Sequence, residues 1–335
     1  IKMHSNSFHA HTCGAQAVFV QGEAGTSEVR FARGCGDQAV VFFEGDQILD
    51  EDTRDLLGSE LWSPESHLAT LRSQAGSETS VFVVMPTTVA VGGQGCYGNF
   101  LAAMTAAGEP LGFKPQDYRA ATHLSAILSA CGYCWGCQDD HMAKDSGGAT
   151  RSDSALAGIV LVGFSKGAVV INQLLAEMAW CEDSPEEGAE ASSALGVKTE
   201  ESEPRPYRDK WRPPSATSQK LPAVAALLDS IHAVHFFDAG LNCRGVHLTD
   251  LGVTALLGKR HSRRALVVHL HGTPRQWADR RRPWIAQERD RFLGLLGEFG
   301  VPAFLHHYFE GQMPSLRQHF DLIRRARLVV DGCSP

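Results

Sequence analysis

An α/β fold, with a mostly parallel central sheet and helices on both faces, is predicted by three observations. Short runs rich in β-branched and aromatic residues alternate with amphipathic stretches along most of the chain. Most of those runs are apolar throughout rather than at every second position, as strands covered on both faces are. One of them, Ile159 to Val162, passes through a tight glycine-rich turn straight into a stretch of helical periodicity, with Val169, Ile171, Leu174 and Leu175 on it. With 335 residues, of which 43% are hydrophobic, the chain can bury one large core, and a single domain over residues 1–335 is the preferred reading.

Taken in order, Ala15 to Val20 reads as a first strand and Glu28 to Ala32 as its partner across the turn-like GEAGTS. Gln38 to Phe43 is a strong buried strand that runs into Glu44-Gly45-Asp46. Thr53 to Ala75 is helical with a break at Ser63-Pro64, since Pro64 suits a first helical turn and Ser63 can cap it. Val81 to Met85 is the next strand, stopped by Pro86. The following VGGQGCYGNF has the wrong spacing for a phosphate loop and reads as an irregular loop over one end of the sheet. Tyr118 to Ser129 predicts a helix, and residues 131–157 are polar and glycine-rich.

Beyond the helix that ends near Glu177, residues 181–220 change character. They are rich in Glu, Ser, Pro and Ala and poor in large apolar side chains, a composition that cannot offset the entropy of ordering. A mobile surface insertion, open to a protein partner, is expected there. Strand and helix signals then resume: Leu221 to Asp229 (helix), Ile231 to Phe237 (strand), Leu251 to Lys259 (helix) and Ala265 to Leu270 (strand). Trp284 to Phe299 (helix), Ala303 to Phe309 (strand) and His319 to Val330 (helix) complete the chain.

Composition excludes several functions. A net charge of −7 argues against nucleic acid as a partner, and Arg280-Arg281-Arg282 is too short a basic run to change that. No stretch approaches the length of a membrane span, and the opening residues carry no long apolar run of a secretory signal. Nine cysteines, an odd number, fit a reducing compartment such as the cytoplasm. Cys131, Cys134 and Cys137 are spaced C-x2-C-x2-C, but no second pair accompanies them. Plain packing is the preferred reading over a zinc or iron–sulphur site, with His141 or Cys181 as fourth ligand. No cofactor or metal is called for.

The chemistry is expected at Gly163-Phe164-Ser165-Lys166-Gly167, a G-x-S-x-G at a strand-to-helix junction. In an α/β-hydrolase-like fold this pentad lifts a serine hydroxyl above the sheet, where it needs a histidine and then a carboxylate, in the chain order serine, acid, histidine. His319 is the first candidate base, in a loop after the last strand, and His271 at a strand end is the alternative. Asp279 is the first candidate acid, Asp238 at the end of the preceding strand a close competitor, and Asp250 a distant third. The amide of Lys166, with that of Gly45 or Asp46, would form the oxyanion hole. A small-molecule or lipid-like acyl ester, thioester or amide would suit such a site.

Five stretches also carry a family resemblance. FFEGD at 42–46, GFSKGAVVINQLL at 163–175, FFDAG at 236–240, HLHGTPRQWADRRRPWI at 269–285 and HHYFEGQMPSLRQHFDLI at 306–323 together resemble a family of α/β-hydrolase-like proteins described as serine esterases or lipase-like, whose vertebrate members are mitochondrial. The resemblance implies Ser165 as nucleophile and the mitochondrion as compartment. A transacylase using the same serine, or an inactive hydrolase fold serving as a scaffold, would share these features.

Overall fold

The computed structural model describes residues 15–134, 154–155, 158–183 and 222–329. Its centre is an eight-stranded sheet of β1 (Gln16–Gly22), β2 (Gly25–Ala32), β3 (Gln38–Phe43), β4 (Ser80–Val84), β5 (Gly158–Phe164), β6 (Ile231–Phe237), β7 (Val267–Gly272) and β8 (Ala303–His307). Their spatial order is β1-β2-β4-β3-β5-β6-β7-β8. β2 runs antiparallel to both neighbours, and every pairing from β4 to β8 is parallel. This is the α/β-hydrolase architecture.

The helices are α1 (Glu51–Leu57), α2 (Ser59–Trp62), α3 (Pro64–Ala75), α4 (Arg119–Ala130), α5 (Ala168–Asp183), α6 (Pro222–Ser230), α7 (Leu251–His261), α8 (Pro274–Trp277), α9 (Trp284–Glu298) and α10 (Leu316–Arg325). The central strands feed two cores because successive side chains point to opposite faces. Val41, Phe43, Ile159 and Leu161 pack with α4, α5, α6, α7 and α9; Val40, Phe42, Val160 and Val162 pack with α1, α2, α3 and α10. Helix α5 is buried all round, which explains why its apolar residues extend beyond one stripe.

The break at Ser63-Pro64 is real: the Ser63 side chain accepts from the Ser66 amide and Pro64 opens α3. The last helix differs from expectation. It begins at Leu316, because Ser315 and Gln318 form a reciprocal capping box, and so carries His319 on its first turns rather than in a loop. The expected insertion lies outside the described residues, apart from its first three, which close α5. Cys137 and His141 also lie outside them. Each parallel strand delivers its carboxyl end to one edge of the sheet, where Gly45, Ser165, Asp238 and Thr273 follow; α5 leads back toward the opposite edge, where it ends at Asp183.

On the α10 side of the sheet, β6, β7 and β8 contribute His235, His269, His271 and His306 as a ladder. His235 stacks on His269 and His271 on His306, each at 4.4 Å, while His235 Nδ1 and His271 Nε2 share a hydrogen bond of 3.0 Å and His269 Nδ1 and His306 Nε2 one of 3.1 Å. Such rings can bond to one another only if one nitrogen of each pair lacks a proton. Burial, then the neighbouring histidines, holds His235 and His271 well below the ordinary imidazole range. Burial likewise lowers His269 and His123 to about 4 and His247 to about 3.

These folded-state values lie below that of the unfolded chain, so only the unfolded chain takes up protons as pH falls through ~6.5. Stability is therefore full above that value and lost on acidification, by up to about 1.4 kcal/mol per pH unit for each such histidine. Urea denaturation between pH 7.5 and pH 5 should show a steep fall, and His123→Gln should make it shallower by one histidine's share. A flat profile would contradict this assignment.

Candidate active site

Ser165 stands where β5 meets its helix, in a single 3-10 turn before α5, with φ at +51°. A non-glycine residue there is strained, and the turn is held from both sides. A Cβ on Gly167 would lie 2.2 Å from the carbonyl oxygen of Phe43, so only glycine lets the helix start sit against β3. Gly167→Ala should destabilise the protein by about 2–3 kcal/mol in urea denaturation, an overpacking cost that a looser junction would not show. A Cβ on Gly45 would meet the Ser165 Cβ at 2.8 Å, which shows how closely the loop after β3 approaches the serine.

Asp238 follows β6 with its own left-handed backbone, φ +46°, and is fully buried. Its carboxylate accepts from the Thr273 amide and hydroxyl, both at 2.8 Å, and meets His319 Nδ1 at 2.6 Å. His319 is 6% exposed and its ring lies 4.5 Å from that of Phe164, the residue before the serine. With Nδ1 engaged by Asp238, Nε2 is the nitrogen left for the cavity that His319 shares with Ser165. The Ser165 hydroxyl and His319 line the same cavity but make no hydrogen bond to each other.

Two expectations about the partners are corrected. Asp279 does not meet a histidine: it accepts from the Arg281 amide at 2.9 Å and from Arg282 Nε at 2.9 Å. Asp279 lies beyond α8, where a two-residue turn onto the arginines is the nearest solution; Asp238 lies at the strand end itself. His271 also faces elsewhere, bonded to His235 and, at 2.9 Å, to the Tyr308 hydroxyl. Asp250 caps α7 by accepting from the Val253 amide.

The expected oxyanion donors converge on the same place. Ser165, Lys166 and Asp46 line one cavity of about 540 Å³ with His319, and Gly45 sits directly behind the serine. The loop that brings Gly45 there is tethered below by Glu44, whose carboxylate meets His67 Nδ1 at 2.6 Å; His67 Nε2 bonds the Leu61 carbonyl at 2.8 Å. Burial works against a charged His67, but the adjacent Glu44 carboxylate outweighs it and raises its pKa. That sets His67 apart from the ladder histidines: its stabilisation is present below ~6.5 and lost as pH rises through the raised folded value.

The burial of the Lys166 side chain beside the serine is a feature of the cavity that the sequence reading missed. It is 1% exposed, donates to the Ala107 carbonyl at 2.7 Å and pairs with Glu109 at 3.1 Å and Asp46 at 3.7 Å. It thus ties the loop after β3 to the residue beside the serine. Thr273 and Arg275 were missed as well; the T-P that starts α8, a capping residue before proline, was the available signal.

Among the described residues, His235, His269 and His271 form the group of metal-ligating type, with candidate nitrogens within 4.8 Å of one another. Their stacked, mutually bonded rings account for the cluster as a neutral ladder. The Cys131 thiol is buried and pushed up to about 12, first by burial, so it is not an activated nucleophile.

The sequence profile of the C2orf69 family matches residues 215–302. Mitochondrial protein C2orf69 of Homo sapiens is 27% identical over 164 residues, 49% of this chain and 32% of that protein, so the chain spans about a third of the length of this relative. The Danio rerio homolog is 26% identical over 304 residues, 86% of this chain and 73% of its own length. These relatives are named mitochondrial proteins, which supports the mitochondrion as the compartment of this chain. Among solved structures, MPT51 of Mycobacterium tuberculosis is similar with TM-score 0.46 and 11% identity, over 94% of this chain and 95% of that one. The IroE-like serine hydrolase of Shewanella oneidensis is similar with TM-score 0.40 and 13% identity, over 93% and 79%. No helix of the described residues is long and apolar enough to cross a membrane.

Proposed function

We propose that this chain is a serine hydrolase that cleaves an ester or thioester bond, with Ser165 as nucleophile, His319 as base and Asp238 as the carboxylate that orients it. The observation that carries the reading is the 2.6 Å contact between Asp238 and His319 Nδ1, in a cavity shared with a serine on a strained strand-to-helix turn. The resemblance of GFSKG and PSLRQHF to a serine-esterase-like family supports the same assignment.

In the reaction, Ser165 Oγ forms a bond to the acyl carbon while its proton passes to His319 Nε2. The amides of Lys166 and of Gly45 or Asp46 take the negative charge on the carbonyl oxygen. The bond to the leaving alcohol or thiol then breaks, and that group departs with the proton from His319. Water, deprotonated by the same nitrogen, releases the acid and restores the serine. An alcohol in place of water would make the same acyl-enzyme a transacylase.

Fluorophosphonate labelling tests the proposal: the native protein should be modified stoichiometrically and Ser165→Ala should not. Labelling that survives in Ser165→Ala removes Ser165 from the role. The unbonded Ser165–His319 pair is the one observation that favours a non-catalytic scaffold, and a native protein inert to the probe would favour that reading.

A further inference from the structure

Three arginines, Arg275, Arg281 and Arg282, line the same cavity as the serine, Arg281 with its side chain largely in solvent. Their pairing is unequal. Arg281 and Arg282 share the single carboxylate of Asp279, with contacts of 3.5 and 2.9 Å. Arg275, on α8 two residues past the threonine that holds Asp238, has no carboxylate within 4.0 Å, and its Nε is buried without a hydrogen-bond partner among the described residues. Burial, then the charge of Arg282, pulls the Arg275 pKa down, against the weaker pull of the Asp238 and Asp279 carboxylates beyond ion-pair distance. Lys166 also lines the cavity, but its ammonium group is satisfied by Glu109, Asp46 and a carbonyl.

An arginine kept half-buried and unpaired is costly unless something of opposite charge joins it. A planar fork of N–H donors is also the side chain best matched to carboxylate or phosphate oxygens. Asp46 is the acidic residue of the lining, and it is already engaged by the Gly95 amide at 2.9 Å and by Lys166.

We infer that the acyl substrate of this site carries an anionic group, carboxylate or phosphate, which Arg275 grips while Arg282 and Arg281, set by Asp279, complete the ring of charge. The inference rests on the hydrolase reading and gives it a substrate class. The cavity, about 540 Å³, has room for a short acyl chain and its charged end together. Asp279 thereby has a use in its pairing with the neighbouring arginines, which the sequence itself offers: it aligns the cations rather than the base.

Three probes separate the sources of the anion. p-Nitrophenyl butyrate is neutral, p-nitrophenyl monoglutarate carries a carboxylate on its acyl chain, and butyryl-coenzyme A carries phosphates on its leaving group. At least one anionic probe should exceed the neutral ester in kcat/KM by tenfold or more. Arg275→Gln should collapse that ratio at least tenfold, with Arg275→Lys restoring part of it. Preference for the neutral ester, or an anionic preference that survives Arg275→Gln, overturns the inference while leaving the hydrolase intact. Thermal shift by inorganic phosphate and by glutarate gives the second readout. If no probe is turned over and no fluorophosphonate labels the native protein, the hydrolase reading fails. An Arg275-dependent shift would then still support anion binding, and its absence would sink that too.

Discussion

Ser165→Ala should lower kcat for any accepted ester by at least about a thousandfold, since removal of the nucleophile in a serine triad leaves only the oxyanion hole and binding to act. Folding should not suffer, because Ser165 is a left-handed residue whose hydroxyl forms no hydrogen bond to His319. Ser165→Gly makes the point more sharply. At φ +51° glycine relieves the strain that serine bears, so this variant should be equally inactive yet more stable by about 0.5–1 kcal/mol. A rise in Tm joined to a loss of turnover is the combination expected of a strained catalytic residue. A fall in Tm in Ser165→Gly would mean that the serine contributes structurally.

The second large effect is at Asp238. Asp238→Asn keeps the size of the side chain, and asparagine tolerates the left-handed backbone at φ +46°. It can still accept from the Thr273 amide, but its NH2 now faces His319 Nδ1, which forces the proton onto Nε2. The ring then cannot accept the proton of Ser165, and kcat should fall by about ten-thousandfold with little change in KM. Asp279→Asn should lower kcat by less than about tenfold, since no histidine depends on it. If the two variants exchange places in the assay, Asp279 is the acid and the site rearranges in solution.

Much of the scaffold was legible because burial on both faces writes itself into composition. QAVVFF and IHAVHFF read as strands with the bounds they have in the fold, Gln38–Phe43 and Ile231–Phe237. The strand-to-helix turn at Gly163 to Gly167 was readable too, and His319, singled out from its place after the last strand, does share a cavity with Ser165. The acid was harder. Two aspartates stood after successive strands, and nothing local distinguishes a carboxylate held by Thr273, 35 residues away, from one claimed by the arginines beside it. The Lys166 side chain was equally hidden: its anchor at Ala107 is 59 positions distant, and a lysine in a turn is ordinarily solvated. Long-range polar pairing has no sequence period, whereas strands and helices do.

The direction of α5 has a practical side. Sixteen residues of helix separate Ser165 and its turn from Asp183, a climb of about 24 Å at 1.5 Å per residue. Asp183, at the end of that climb, therefore lies toward the pole opposite the cavity. That pole is where an affinity handle, a fluorophore or a surface tether belongs. Cargo attached at Asp183 would stand a helix length away from the serine turn.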